Sequence, residues 1–193
     1  MVETSKKHIF MIGRQHSSES MNSPIMEYMM SYIEDNQYLL DNFHWYFIPE
    51  INPDECAGDS SGYSWQIWNS SANPIIVAVR NKCQQIDTSY TLDTFFDWHS
   101  LGSGYGSHIL HYTGDTAGAA LCSLMVSHTT NSANTYTCEP ETDPMAYAYA
   151  YAYLTWECPS FTPEPTQCDW RTTSASLQFE GEGFADAIYD YFY

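Results

Sequence analysis

Short apolar runs alternate with segments of helical periodicity along this 193-residue chain, and that alternation limits the folds open to it. Apolar runs bounded by turn residues are typical of buried strands, whereas apolar residues recurring every three or four positions are typical of helices packed on a sheet. The predicted strands are 8–13, 43–51, 92–98, 109–112 and 177–180. The predicted helices are 23–34, 74–86, 117–128 and 184–192. This order predicts an α/β fold with helices on the faces of a sheet.

One internal repeat interrupts the pattern, an alternation of alanine and tyrosine from Ala146 to Tyr153. A period of two places the tyrosines on one face and the alanines on the other, which favours a strand, although alanine itself favours helix. Segments 55–73 and 100–106 are rich in turn residues and are predicted as loops. The length, with 44% hydrophobic residues, suits a single domain over residues 1–193.

The charge of the chain excludes several classes of partner. The net charge is -18, from 24 acidic residues against 6 lysines and arginines. Such a protein repels phosphate backbones and anionic membrane surfaces, so we expect no nucleic-acid and no membrane partner. Neutral or cationic substrates fit better. No apolar run approaches the roughly 20 residues that a membrane helix needs, and no signal-peptide pattern is visible.

Six cysteines lie at positions 56, 83, 122, 138, 158 and 168. None forms a C-x-x-C pair, which argues against a cysteine zinc site, while the even count allows up to three disulfides. Cys138, Cys158 and Cys168 lie in polar segments suited to disulfides, and Cys83 and Cys122 lie in apolar patterns suited to buried thiols. Together with a glycosylation sequon at 69–71, the cysteines favour an extracellular location without establishing it.

A histidine and a carboxylate three residues apart, His16 and Glu19, lie where a predicted strand gives way to a predicted helix. At such a junction both side chains can turn to the same side, and zinc accepts imidazole nitrogen and carboxylate oxygen at similar short distances. The alternative is a surface histidine with a glutamate that the helix dipole favours in its first turn. A third ligand is needed to decide between the two.

His99 supplies a candidate third ligand, because it directly follows the predicted strand 92–98. Two histidines and one glutamate are the protein ligands of several hydrolytic zinc sites, and three ligands leave a position for water. Asp97 would then orient a ligating imidazole from behind. The alternatives are a strand-end histidine bonded to the backbone and an aspartate that serves a cap or a loop.

Glu180 is the candidate general base. It ends the apolar run that begins at Leu177 and precedes Gly181. A carboxylate at the edge of an apolar pocket can keep a raised pKa and take up a proton. The alternative is an ordinary acidic residue in an acidic C-terminal region.

Taken in order, four segments resemble the zinc metallocarboxypeptidase family, the superfamily of carboxypeptidase A and the cytosolic carboxypeptidases. The segments are Gly13-Arg14-Gln15-His16-Ser17-Ser18-Glu19-Ser20, Ile48-Pro49-Glu50-Ile51-Asn52-Pro53-Asp54, Phe96-Asp97-Trp98-His99-Ser100, and Asp169-Trp170 with Ala175-Ser176-Leu177-Gln178-Phe179-Glu180. Their order and rough spacing fit the family across about residues 8–184. The resemblance implies a mixed, largely parallel sheet flanked by helices on both faces.

The resemblance also implies chemistry. One Zn²⁺ would be bound by His16, Glu19 and His99, and water activated by the metal would attack an amide, most of all a peptide bond. Glu180 would take the proton from that water and pass it to the leaving amine. Trp170, in the segment that carries this glutamate, would bind substrate, and the other candidates for that role are Arg14, Trp65, Gln66 and Arg171.

The chain departs from the family where the substrate's terminal carboxylate is normally gripped by an asparagine and an arginine. Trp65 and Gln66 stand where that pair should be, and no arginine lies between Asp54 and Arg80. A glutamine amide lacks the charge of a guanidinium, so strict carboxypeptidase activity is in doubt. Arg14 and Arg171 are the substitutes nearest in sequence.

A second departure is the short N-terminal region, since family domains usually have strands before the first zinc motif. An uncovered sheet edge invites pairing, so the resemblance also predicts a homo-oligomer, or an edge covered by a missing segment. Because of these departures an alternative function stays open. It is a binding or assembly protein on a degenerate peptidase scaffold, with the Ala-Tyr stretch as its assembly strand.

Overall fold

A six-stranded sheet forms the centre of the protein. A computed structural model describes residues 6–16, 18–57, 68, 73–100, 108–113, 115–130, 135–141, 147–165 and 173–193. The strands are β1 (Lys7–Gly13), β2 (Phe43–Ile48), β3 (Thr94–Trp98), β4 (His108–Thr113), β5 (Tyr136–Glu141) and β6 (Ser160–Glu164). The helices are α1 (Asn22–Asp35), α2 (Gln37–Asn42), α3 (Pro53–Cys56), α4 (Pro74–Ser89), α5 (Thr116–Thr129), α6 (Ala148–Trp156) and α7 (Ser174–Phe192).

The strand order across the sheet is β2-β1-β3-β6-β4-β5. Strands β2, β1, β3 and β6 run parallel to one another, β4 runs antiparallel to β6, and β5 runs parallel to β4. The sheet is therefore mixed and largely parallel, as the resemblance implied. This arrangement brings the carboxyl ends of β1, β3 and β6 together at one edge, where side chains that follow those strands can meet.

Helices cover both faces of the sheet because the strands are apolar on both sides. On β1, Ile9 and Met11 join a core shared with α1, α5 and α7, whereas Phe10 and Ile12 join a second core shared with α4 and α6. We call these the α7 face and the α6 face. The prediction of helices on both faces is confirmed.

Helix α7 packs unusually close to its neighbours. A Cβ added at Gly181 would lie 2.7 Å from the carbonyl oxygen of Ile25 and 2.8 Å from the backbone nitrogen of Met29, both in α1. A Cβ at Gly183 would lie 2.6 Å from the carbonyl oxygen of His128 in α5. The two glycines are thus required by backbone contact between helices, and they do not end α7.

Two of the predicted strands are wrong. The alanine-tyrosine stretch forms helix α6, in which Ala148, Ala150 and Ala152 are buried. Alanine's helix propensity and burial on the sheet decide the conformation over the period of two. Residues 177–180 belong to α7, which a capping box at Thr173 begins: the backbone N–H of Ser176 donates to Thr173 Oγ1 at 3.1 Å.

Strands β5 and β6 were absent from the prediction. Strand β6 contains Pro163 yet lies inside the sheet between β3 and β4, where the proline's carbonyl accepts a hydrogen bond from the backbone N–H of His99 at 3.0 Å. In the sequence, proline argues against a central strand because it cannot donate to a neighbour. The predicted loops at 55–73 and 100–106 lie mostly outside the described residues.

The cysteines differ from the prediction in two places. Cys122 is bonded to Cys138, which joins α5 to the edge strand β5, so Cys122 is not a thiol. Cys158 is a buried thiol, like Cys83. Cys168 lies outside the described residues. Among the helices that the structure describes, none has the length and apolar character to cross a membrane.

Candidate metal centre and its cleft

The three predicted ligands meet beyond the carboxyl ends of the neighbouring strands β1 and β3. One ligand atom from each of His16, Glu19 and His99 lies within 4.8 Å of the others. The two oxygens of Glu19 face the two imidazoles: Oε1 is 2.7 Å from His16 Nδ1, and Oε2 is 2.9 Å from His99 Nδ1. A carboxylate between two imidazoles is a donor set that suits zinc.

The loop between β1 and α1 holds His16 and Glu19 in place. Arg14 adopts a left-handed backbone with φ of 58°, which turns the chain sharply after the strand. The backbone N–H of Glu19 donates to the carbonyl of His16 at 3.1 Å, which closes a turn that places both side chains on one side.

Two buried asparagines fix this loop to its surroundings. Asn22, the first residue of α1, donates from Nδ2 to the carbonyl of Trp98 at 2.8 Å. Asn52, from the segment after β2, donates to the carbonyl of Gln15 at 2.8 Å. These bonds tie the loop both to the end of β3, directly before His99, and to the neighbouring turn.

Asp97 lies behind the cluster, in contact with His99. It is 1% exposed, and its carboxylate accepts hydrogen bonds from Gln15 Nε2 and from His99 Nε2, the latter at 3.1 Å. With the proton of a neutral imidazole held on Nε2, Nδ1 keeps its lone pair toward Glu19 and His16. A carboxylate behind a ligating histidine is a common support for metal sites.

The electrostatics of the cluster favour a cation. Burial raises the pKa of Glu19, but the imidazoles of His16 and His99 beside its two oxygens outweigh this effect and lower that pKa to about 2. Burial lowers the pKa of His99, but Asp97 and Glu19 outweigh it and raise that pKa well above its usual value. Glu19 Oε2 is buried without a geometrically acceptable hydrogen bond among the described residues. The three side chains therefore fit a divalent cation.

A cavity of about 360 Å³ opens beside this cluster. Its described lining is Gln15, His16, Glu19, Asp97, His99, His111, Tyr147, Ala148, Tyr149, Thr162 and Glu164. Strands β1, β3 and β6 contribute from their carboxyl ends, β4 contributes His111, and α6 contributes its first turn. A pocket beside a candidate metal centre is the expected place for a substrate.

Comparison with known proteins identifies the family. The sequence model of the zinc carboxypeptidases matches residues 2–175. The chain belongs to the zinc carboxypeptidase family. The family predicted from the sequence is thereby confirmed, and membership of it indicates zinc as the metal that the cluster could hold. No curated protein matches the chain significantly.

Solved structures share the zinc carboxypeptidase fold with this chain. A metallo-carboxypeptidase from Burkholderia cenocepacia is similar at 17% identity with a TM-score of 0.79, over 98% of this chain and 57% of its own. A metallo-carboxypeptidase from Pseudomonas aeruginosa, in complex with (2-guanidinoethylmercapto)succinic acid, is similar at 18% identity with a TM-score of 0.73. The match covers 97% of this chain and 58% of that protein. The tripeptide-bound cell shape determinant Csd4 of Helicobacter pylori is similar at 10% identity with a TM-score of 0.69. The match covers 97% of this chain and 51% of that protein.

At these identities the likeness concerns the fold alone. The chain spans only 57% of the length of the Burkholderia cenocepacia protein and 58% of the Pseudomonas aeruginosa one. The activity and substrates of those longer proteins therefore do not pass directly to this member of the family.

Glu164 is a cavity residue that the sequence analysis missed. It ends β6, follows the proline bonded to His99, and lies with Oε1 4.0 Å from His111 Nε2. Burial raises the pKa of its carboxyl group above the usual value, although His99 and His111 pull it down. The available signal was a glutamate at the end of the short segment Ser160 to Pro163, which contains the strand-forming residues Phe161 and Thr162, and it was obscured by the prolines around it.

The structure does not bring Glu180 to the cluster. Glu180 lies in the middle of α7, is 0% exposed, and accepts a hydrogen bond from the phenol of Tyr136 at 2.9 Å on the α7 face. It is not among the residues lining the cavity. The prediction placed it at the end of a strand because the α7 segment was assigned as β.

The candidate substrate-binding residues stay predictions. Arg14 does not line the cavity, and its Nη1 lies 3.8 Å from Glu50 Oε2. The others lie outside the described residues. They are Trp65, Gln66, Trp170 and Arg171.

Proposed function

We propose that this protein is a zinc-dependent hydrolase that cleaves an amide bond, most of all a peptide bond, with Glu164 as general base. The observation that carries the proposal is the convergence of the His16-Glu19-His99 cluster and Glu164 on one cavity. Glu164 replaces Glu180 in the predicted role because only Glu164 faces the cavity.

Zinc, when bound, supplies a Lewis acid that polarises the scissile carbonyl and lowers the pKa of water. The chain's own residues do the rest. His16, Glu19 and His99 hold the metal, and Asp97 keeps His99 in the ligating orientation. Glu164 accepts a proton from the attacking water on its carboxylate and then gives it to the leaving nitrogen. Its pKa, raised by burial, suits the carboxylate to accepting a proton.

A peptide is the favoured substrate for two reasons. The structurally similar Csd4 holds a tripeptide, and the similar Pseudomonas protein holds a substituted succinic acid, whose two carboxylates are of the kind found in peptides. The cavity of about 360 Å³ is large enough for one or two residues of a peptide.

The alternative of an assembly or binding protein rested on the missing arginines, on the tyrosine content and, structurally, on the alanine-tyrosine stretch as an assembly strand. That stretch forms α6, and its alanines pack against the sheet. The structural reason for favouring an assembly function is therefore gone, whereas the metal cluster is intact.

We also propose an oxidising, extracellular location. The support is the disulfide between Cys122 and Cys138, since disulfides persist mainly in secreted proteins. Mass analysis of protein isolated from its native source without reductant would detect this bond, and two free thiols at these positions would contradict the location.

The test of the hydrolase is direct. Zinc-loaded protein is incubated with a mixture of short peptides, and new termini are identified by mass spectrometry. We expect cleavage that chelation abolishes, a loss of about 10²- to 10⁴-fold in E164Q with zinc retained, and retained cleavage in folded E180Q. Stoichiometric zinc without any cleavage would sink the proposal, and cleavage unaffected by E164Q would remove Glu164 from it.

A further inference from the structure

Gln15 lies between the two segments that carry the candidate metal ligands. It follows β1, directly precedes His16, and is 2% exposed. The left-handed backbone of Arg14 turns the chain at the end of the strand, and the backbone N–H of Arg14 donates to the carbonyl of Trp98 at 3.3 Å. The turn thus keeps Gln15 beside the end of β3, which leads to His99.

The side chain of Gln15 reaches across to β3. Its Nε2 donates to Oδ1 of Asp97, whose side chain is buried. Asp97 lies opposite Ile12 in the parallel register of β1 and β3, so the contact joins the loop after β1 to the neighbouring strand. The other oxygen of Asp97, Oδ2, accepts from His99 Nε2 at 3.1 Å. One amide and one imidazole therefore share the two carboxylate oxygens.

The main chain of Gln15 is fixed as well. Its carbonyl accepts a hydrogen bond at 2.8 Å from Nδ2 of Asn52, a buried residue in the segment after β2. Gln15 is therefore held by one neighbouring segment through its carbonyl while its side chain binds another. A side chain whose backbone is anchored in this way fixes the position of the group that it binds.

Two hydrogen bonds orient a carboxylate more fully than one. The χ2 torsion of an aspartate has a broad, roughly two-fold preference, so a single bond from His99 would leave the plane of the Asp97 carboxylate poorly defined. The second bond, from Gln15, defines that plane and leaves Oδ2 for His99. A neutral amide does this without placing a positive charge beside a site suited to a cation.

We propose that Gln15 is a positioning residue for the metal centre, which acts through Asp97 to set the orientation of His99. It links the loop that carries His16 and Glu19 to the strand that leads to the third ligand. The inference rests on the zinc site of the proposed function and is independent of the bond that is cleaved. Gln15 also lines the cavity, so contact with substrate is the competing role, and that role would leave zinc affinity unchanged.

Two substitutions remove the contact in different ways. Q15M keeps the length of the side chain without a donor, whereas Q15N keeps a buried amide on a side chain that is one methylene shorter. We expect each to weaken zinc binding about tenfold, at the lower end of the roughly 10- to 100-fold that loss of a group supporting a metal ligand costs. Competition with a chromogenic chelator on the full chain measures the effect.

The matched control is Q178M. Gln178 Nε2 donates to Glu182 Oε1 at 2.7 Å on the exposed side of α7, so the control removes the same kind of bond away from the cluster. Zinc affinity should be unchanged in Q178M. Unchanged affinity in Q15M and Q15N would overturn the positioning role. Failure of both variants to fold would do the same, because a side chain that only positions a ligand is dispensable for the fold.

A double substitution shows whether Gln15 acts through Asp97. Residues in one hydrogen-bond network have non-additive effects, so Q15M should weaken zinc binding by less than about threefold when it is added to D97N. Equal losses in the two backgrounds would contradict the proposal. Co²⁺ in place of zinc reports the geometry of the site: its visible absorption should change in Q15M and stay the same in Q178M. An effect on the fold alone would leave that absorption unchanged in folded Q15M.

Zinc binding and peptide cleavage are measured separately, so the two proposals can fail separately. Weaker zinc binding in Q15M, with no cleavage by the unmodified protein, would leave the positioning role and remove the hydrolase. Cleavage with equal zinc affinity in Q15M and the unmodified protein would leave the hydrolase and remove the positioning role. A lack of zinc binding by the unmodified protein would overturn both.

Discussion

His99 donates from Nε2 to the carboxylate of Asp97 at 3.1 Å, and this single contact decides which nitrogen of the imidazole faces Glu19. We expect D97N to weaken zinc binding about 10- to 100-fold, because a neutral amide no longer holds the imidazole with a charged acceptor. Competition with a chromogenic chelator measures the effect.

The control for this change is D190N. Asp190 Oδ2 lies 3.0 Å from His128 Nε2, so the control removes a carboxylate-imidazole contact of similar length far from the cluster. Zinc affinity should be unchanged in D190N. Equal affinity in D97N and the unmodified protein would show that Asp97 does not orient the ligand.

Tyr136 should stabilise the core through Glu180. Its phenol donates to a carboxylate that is 0% exposed, and burial together with that carboxylate raises the pKa of Tyr136 well above its usual value. Y136F removes the donor, so we expect the free energy of unfolding to fall by about 1–3 kcal/mol. Urea unfolding measures it, with Y193F at an exposed position as the control. A loss no larger than that of Y193F would contradict the expectation.

Gly181 should resist substitution by alanine. In an unconstrained helix the change would stabilise by about 1 kcal/mol. Here the new methyl group would lie 2.7 Å from Ile25 O, where backbone must move, and overpacking costs roughly 1–3 kcal/mol. We therefore expect G181A to lower the midpoint of urea unfolding. A higher midpoint would show that α1 and α7 separate easily.

Cys83 and Cys158 should be unreactive in the folded protein. Burial raises the pKa of the Cys83 thiol well above its usual value and raises that of Cys158 to about 12. The thiolate is the reactive form, and below these pKa values it is scarce. In a C56S/C168S background, a thiol reagent at pH 8 should label neither residue until denaturant is added. Rapid labelling without denaturant would contradict the burial of both thiols.

The disulfide between Cys122 and Cys138 should stabilise the edge of the sheet. It closes a loop with a sequence separation of 16. Loss of a link over such a loop costs about 3 kcal/mol. We expect C122S/C138S to unfold at a lower temperature than the oxidised protein and to be insensitive to added reductant. A melting temperature equal to that of the oxidised protein would exclude a stabilising role.

Patterns of burial explain which elements the sequence predicts. Strand β1 is buried along almost its whole length, and helices α1 and α4 bury side chains at helical spacing, so their positions follow from the sequence. Helix α6 does not, because its alanines are small enough to be buried at every second position in a helix. In α6 the alternation of alanine and tyrosine is therefore a feature of the composition and does not predict the conformation.

The candidate site divides in the same way. His16, Glu19, His99 and Asp97 lie beside strands that are strongly apolar, and the sequence predicts their meeting. Glu164 was missed because β6 carries a proline inside the sheet, which only its pairing with β3 and β4 makes acceptable. Glu180 was chosen because a buried helical glutamate beside glycines resembles the end of a strand.

The backbone contact at Gly181 has a consequence for how the protein can vary. Helix α1 continues directly from the loop that carries His16 and Glu19, so a change that pushes α1 away from α7 also displaces two candidate metal ligands. Substitution of Gly181 would therefore lower the metal affinity, although Gly181 does not line the cavity. We expect natural variants to keep glycine here while the exposed residues of α7 diverge.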